Sequence, residues 1–251
     1  MNLKELKQNY EKAAKKDPLE IILAGNKKDL NEFFETGENE IKEIISYLDK
    51  LGLSVGKIRA LDFGCGIGRL SRALTHHFKE VHGVDISENM ISLAKQHNKY
   101  DKKCMYHANS APDLRIFPDN FFDFIYSNIT LQHIPRKYSL NYVKEFLRVL
   151  KPRGIIIFQL PSQRVKKEGE NKLIFLIKDN LLKILPETII NLYKKRKWGF
   201  TVNMYPIKKA KVISFIGKNN GKIVDIVANN WGGKRHNSLR YCVMKKRELE
   251  S

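Results

Sequence analysis

Residues 59–71, RALDFGCGIGRLS, set Gly64, Gly66 and Gly68 between an apolar run and a helical pattern. A strand that runs into a glycine-rich turn and then a helix brings bare backbone N–H groups and a helix N-terminus to the strand's carboxyl end, a nucleotide-sized site. Spacing selects among nucleotides. A dinucleotide fingerprint needs G-x-G-x-x-G, and counted from Gly64 its last position is Arg69, the third glycine arriving one residue early. Asp62, flanking the turn, would repel a pyrophosphate and suit a ligand with an ammonium group. Asp85 ends the next apolar run in GVDIS, where a carboxylate can accept hydrogen bonds from both hydroxyls of a ribose. An ammonium and a ribose without a phosphate describe S-adenosylmethionine.

These residues need elements to hold them. Apolar runs of strand length recur at 58–63, 80–86, 121–128 and 154–160, with a weaker one at 103–107, and the stretches between them carry apolar residues at helical spacing. Alternation of this kind predicts a parallel sheet with helices on both faces. Runs at 221–229 and 238–246 are separated by only the turn-rich NWGGKRHN, too short for a helical crossover, so they should pair antiparallel at one end of the sheet. Before the sheet, residues 1–55 read as helices. Tyr10, Phe33 and Phe34 fall in this segment, where Phe33 and Phe34 can anchor a helix to the core.

The chain resembles the class I S-adenosylmethionine-dependent methyltransferases, in the small-molecule branch that includes the ubiquinone-type enzymes. The resemblance spans about residues 57–161 and rests on ALDFGCGIGRL, GVDIS, FFDFIYSNITLQHI and VLKPRGIIIFQLP in that order. It implies a Rossmann-like, doubly wound α/β fold of seven strands, mostly parallel with a C-terminal antiparallel hairpin. It also implies one methyltransferase domain over 1–251: a helical lid at 1–55, a cofactor-binding core at 56–160, a basic substrate-side insertion at 161–205 and a final helix and hairpin at 206–248. Residue by residue, it places Asp62, Gly64, Cys65 and Gly66 around the methionine part of the cofactor, with Gly68 opening the following helix. Asp85 would hold the ribose, Ile86 would cover the adenine, and Asn109 with Ser110 would approach the adenine amino group. Ser127 and Asn128 fall where the sulfonium faces the acceptor. Arg153 stands where the family commonly has a second glycine.

Methyl transfer is an in-line displacement at an activated carbon, so the protein mainly aligns the partners and excludes water. An oxygen nucleophile must also lose a proton. His133, five residues after Asn128, is the candidate base, against the reading that it caps the QHIPRK turn. Cys65, Cys104 and Cys242 are too scattered for a disulfide framework or a zinc site, so no metal is expected. The formal charge of +19 lies almost all in the C-terminal part, where residues 151–251 hold 23 Lys and Arg against 7 Asp and Glu. Such a field attracts nucleic acid, an anionic membrane surface or a phosphorylated substrate. Residues 172–198 alternate apolar clusters with lysines, a pattern that fits a cover over an amphipathic acceptor or contact with an anionic membrane.

Two absences disfavour nucleic acid as substrate. An exocyclic-amine base methyltransferase would carry Asn/Asp-Pro-Pro-aromatic where this chain reads SNIT, and no cysteine is placed for a cytosine-carbon enzyme. The chain begins with a polar stretch and has no apolar run of membrane-spanning length, so the expectation is a cytoplasmic enzyme, with peripheral membrane contact left open. Its expected function is methylation, at oxygen, of a small-molecule, lipid- or glycan-linked acceptor. The rivals are an RNA methyltransferase gripping phosphates with its basic face and a non-catalytic cofactor-binding module.

Overall fold

A computed structural model describes residues 1–16, 29–100, 102–166, 169–177 and 203–247. Each apolar run of the core becomes a strand: β1 (Arg59–Phe63), β2 (Glu80–Asp85), β3 (Cys104–Ala108), β4 (Phe122–Ser127) and β5 (Leu150–Arg164), followed by β6 (Gly221–Asn229) and β7 (His236–Lys245). They form one seven-stranded sheet in the order β3-β2-β1-β4-β5-β7-β6. β7 is antiparallel to both β5 and β6, while the other pairs are parallel. β5 is longer than its apolar run predicts, because its two ends pair with different partners. Leu150 bonds beside Phe122 across a bulge, and Arg164 still pairs with His236 at the far end.

Among the described residues, helices α1 (Leu3–Lys16), α2 (Leu30–Lys50), α3 (Arg69–Leu74), α4 (Glu88–Gln96), α5 (Arg136–Val149) and α6 (Lys209–Lys218) cover the sheet. Side chains alternate across each strand, so one face of the sheet packs Leu61, Phe122, Ile156, Phe158 and Tyr241 against α5 and α6. The other face packs Ala60, Phe124, Ile155 and Cys242 against α2, α3 and α4. The strand order reverses direction between β1 and β4, and open α/β sheets hold ligands outside the carboxyl ends of such strands.

α1 opens with a reciprocal cap, Asn2 Oδ1 accepting from the Glu5 N–H and Glu5 Oε2 from the Asn2 N–H, at 2.9 and 3.1 Å. Lys7 then pairs with Glu88 at 2.6 Å, and Glu11 accepts from the Glu88 N–H, which ties α1 to the start of α4. In the 161–205 segment, β5 runs on to Arg164 and residues 172–177 are helical. Residues 178–202, including KKRKW, lie outside the described residues, so most of that expectation does too. Among the described residues no helix is long and apolar enough to cross a membrane.

Candidate functional site

A cavity of about 380 Å³ opens at the carboxyl ends of β1, β2 and β4. Its volume falls in the usual range for small-molecule sites. Of the residues singled out from the sequence, Gly64, Cys65, Gly66, Asp85, Ile86, Asn109, Asn128 and His133 line it. Asp62, Gly68, Ser110 and Ser127 do not.

The glycine turn is shaped by backbone need. Gly64, Gly66 and Gly68 have φ of +81°, +54° and +89°, the left-handed region that only glycine enters freely. At Gly64 space is lacking as well, since a Cβ would lie 2.1 Å from Thr130 Oγ1. One expectation is corrected here, because the N–H groups of Gly64, Cys65, Gly66 and Gly68 are not bare. Gly64 and Cys65 donate to the Val84 carbonyl at 2.7 and 3.0 Å, and Gly68 donates to Cys65 O at 2.9 Å. Gly66 donates to Asp85 Oδ2 at 3.0 Å.

Asp62 is 1% exposed, and its Oδ2 accepts from the Ser71 hydroxyl at 2.6 Å. The first turn of α3 thus faces the chain's own carboxylate. Burial drives Asp62 up to about 7 against the Ser71 hydrogen bonds and the Arg69 charge that lower it. Its Oδ1 has no partner among the described residues. Asp62 therefore acts from beneath the turn rather than from the cavity wall.

Asp85 does face the cavity. Its oxygens take the Gly66 and Ser87 N–H groups at 3.0 and 2.9 Å, two of about four lone-pair positions on a carboxylate. Burial raises its pKa, and these backbone donors oppose the rise. Ser127 Oγ donates to Phe63 O at 3.0 Å, pinning β4 to β1, and Ser110 is exposed. Asn109 spends its amide on its own loop, donating to Asp113 O at 2.7 Å and accepting from the Ala111 N–H at 3.1 Å. Cys65 is a buried thiol whose pKa burial raises well above the ordinary value, so it is no nucleophile here.

His133 has both ring nitrogens engaged. Nδ1 lies 2.9 Å from the Asn203 carbonyl, which can only accept, so Nδ1 carries the proton. Nε2 then accepts from the Gln132 amide at 3.0 Å, and Gln132 Oε1 accepts from Gln159 at 3.0 Å. Burial lowers the His133 pKa, so the ring is neutral near pH 7. A neutral ring of fixed tautomer can act as a base once Gln132 gives way.

The N-terminal aromatics divide between the cavity and the core. Tyr10 and Phe33 line the cavity with Leu3 and Leu6 of α1. Phe34 is an anchor, with the Arg72 guanidinium 4.8 Å over its ring and His97 edge-on to it at 6.2 Å.

Sequence reasoning missed Glu40. Its Oε1 accepts from Tyr126 Oη and Asn128 Nδ2, each at 2.7 Å, and its Oε2 takes Arg69 Nη2 at 2.8 Å. One carboxylate on α2 thus joins the end of β4 to the start of α3. Nothing in ENEI separates Glu40 from the other glutamates of an amphipathic helix. Ile129 also passes unnoticed in the sequence. It lines the cavity at a φ of +57°, a strained position for a β-branched residue.

A family model described as a methyltransferase domain matches residues 61–158. Phosphoethanolamine N-methyltransferase of Triticum aestivum is 36% identical over 128 residues, covering 50% of this chain and 24% of that protein. Demethylmenaquinone methyltransferase of Bacillus licheniformis is 32% identical over 143 residues, covering 55% and 60%. The chain thus spans between about a quarter and three-fifths of these curated relatives. Among solved structures, magnesium protoporphyrin IX methyltransferase from Synechocystis with bound SAH superposes with a TM-score of 0.62 at 16% identity. That superposition covers 96% of this chain and 98% of the other, a likeness of fold.

Proposed function

We propose that this chain, which carries a class I S-adenosylmethionine-dependent methyltransferase domain, binds that cofactor in the 380 Å³ cavity and methylates a small-molecule acceptor. One observation carries the choice of cofactor. The N–H groups of Gly64, Cys65, Gly66 and Gly68 are paired within the chain, and the first turn of α3 faces Asp62. A phosphate would find none of these four N–H groups free and would meet the Asp85 carboxylate, whereas Asp85 keeps lone pairs for two ribose hydroxyls. The residues therefore fit a nucleoside without phosphates.

When bound, the cofactor supplies a methyl group already activated by a positive sulfur. The chain supplies the enclosure. Asp85 would accept from the ribose, Ile86 and Met90 would pack on the adenine, and Phe63 and the glycine turn would bed the amino-acid portion. Leu3, Leu6 and Tyr10 roof the cavity and exclude water. Asn128, Ile129, Thr130 and His133 form the wall after β4, where an acceptor would approach.

Oxygen is the acceptor atom we favour, because the neutral His133 ring can take the proton an alcohol or phenol must lose. An amphipathic acceptor is supported by the helical turn at 172–177, which exposes Leu173, Ile174, Leu176 and Ile177 beside Lys172. RNA is disfavoured, since among the described residues lining the cavity Arg69 is the one Lys or Arg.

Calorimetry with S-adenosylhomocysteine tests the cofactor assignment. Binding should weaken about tenfold or more in Asp85→Ala, the worth of hydrogen bonds to a charged group. No binding, or binding indifferent to Asp85, would end the proposal. For the acceptor, a panel of alcohols, phenols and amines with labelled cofactor should yield O-methyl products whose rate falls in His133→Ala. Amine products alone would redirect the reading to nitrogen.

A further inference from the structure

A bound amino-acid moiety brings a carboxylate as well as an ammonium, and the cavity must answer its charge. Leaving a carboxylate unpaired in a dry site costs several kcal/mol. The N–H groups of Gly64, Cys65, Gly66 and Gly68 already have partners within the chain, and Ser71 in the first turn of α3 faces Asp62. We propose that Arg69 binds the carboxylate of the cofactor's amino-acid moiety and that Glu40 and Thr36 position it. This rests on the cofactor reading above.

Arg69 is the one Lys or Arg among the described residues lining the cavity. Its guanidinium is braced rather than loose. Nη2 bonds Glu40 Oε2 at 2.8 Å, Nη1 lies 3.4 Å from Thr36 Oγ1, and Cζ sits 5.8 Å from the Phe33 ring centre. Thr36 spends its own proton on Phe33 O at 2.6 Å, so its oxygen is free to accept from Arg69. A guanidinium carries five N–H groups, and these two contacts leave three for a ligand. Its planar fork matches a carboxylate, and holding it in advance lowers the entropy lost on binding.

The brace depends on the close approach of α2. A Cβ on Gly37 would lie 2.5 Å from the Arg69 carbonyl and 2.8 Å from its Cγ, so only glycine lets α2 bring Thr36 and Glu40 within reach. Glu40 is in turn held by Tyr126 and by Asn128, which also lines the cavity. The arginine that interrupts the dinucleotide fingerprint thus takes a positive role. Where a pyrophosphate site needs the bare backbone of a third glycine, this site needs a cation.

The test pairs two ligands, S-adenosylmethionine and its decarboxylated form, by calorimetry. Wild-type protein should prefer the carboxylated ligand about tenfold or more, the worth of a charge-assisted pair. Arg69→Met should erase that preference while changing the decarboxylated ligand's affinity by less than about threefold. Arg69→Lys, keeping the charge without the fork, should retain part of it, and Glu40→Gln should weaken the carboxylated ligand more than the other. A wild-type protein indifferent to the carboxylate, a preference that survives Arg69→Met, or equal weakening of both ligands would overturn the assignment. If Arg69→Met does not fold, the wild-type ratio and Arg69→Lys decide. Wild-type protein that binds neither ligand would instead remove the cofactor reading, a failure seen before any substitution is made.

Discussion

Gly64→Ala is the sharpest probe of the turn. Two penalties add. An L-residue at a φ of +81° costs about 1–2 kcal/mol. The new Cβ would also stand 2.1 Å from Thr130 Oγ1 and 2.6 Å from Thr130 Cβ, an overlap that forces the wall after β4 to move. Overpacking of that kind costs about 1–3 kcal/mol. The expected loss is therefore about 2–5 kcal/mol by urea denaturation. Because both Thr130 atoms belong to one side chain, Thr130→Gly removes the overlap and leaves the backbone strain. The double variant should recover about 1–3 kcal/mol relative to additivity. Affinity for S-adenosylhomocysteine should fall in Gly64→Ala and return in part in the double variant. A Gly64→Ala protein within about 0.5 kcal/mol of wild type, or a cycle with no coupling, would refute the account of the turn.

Glu40→Gln should destabilise by about 2–3 kcal/mol, since it weakens charge-assisted bonds to Arg69, Tyr126 and Asn128 together, and pairing it with Arg69→Met should cost less than the two added. Urea melts of the four proteins decide, and strict additivity would show that Glu40 and Arg69 are not coupled. His107, stacked on His82, is pushed down to about 4, first by burial and then by the His82 and Lys95 charges. Its depressed folded pKa means that the unfolded chain takes up a proton the folded one refuses, so stability is lost as pH falls from about 6.5 towards 4. Discounted for partial exposure, the loss is about 1–2 kcal/mol, and a pH–stability slope unchanged by His107→Gln would remove His107 as a source. Ile129→Gly should be neutral or stabilise by up to about 1 kcal/mol, because glycine relieves the left-handed strain at a side chain that is 43% exposed. A thermal melt showing a loss above about 1 kcal/mol would mean that Ile129 holds the wall by packing.

The parallel part of the sheet was legible because strand-length apolar runs alternate with helix-period stretches, and the closing antiparallel hairpin because eight residues cannot hold a crossover. β5 was read too short, since apolar patterning does not mark pairing that continues through Pro161–Arg164 on an edge made by β7. Spacing also marked the loop, and the family resemblance added Ile86, Asn109 and Asn128; Gly64, Cys65, Gly66, Asp85, Ile86, Asn109, Asn128 and His133 all line one cavity. Position along the chain could not say which way a side chain turns. Asp62 points to Ser71, Asn109 into its own loop, and Ser127 back to β1.

What the sequence alone determined was local: period, turn chemistry and the order of motifs at strand ends, each set by residues a few positions apart. What the tertiary structure decided was charge pairing across distance. Glu40 finds Arg69, Tyr126 and Asn128 at separations of 29, 86 and 88 residues, because α2 can lie against α3 only where Gly37 has no side chain. Such a contact leaves no periodic trace, since a glutamate on a helix looks the same in sequence whether it meets water or an arginine.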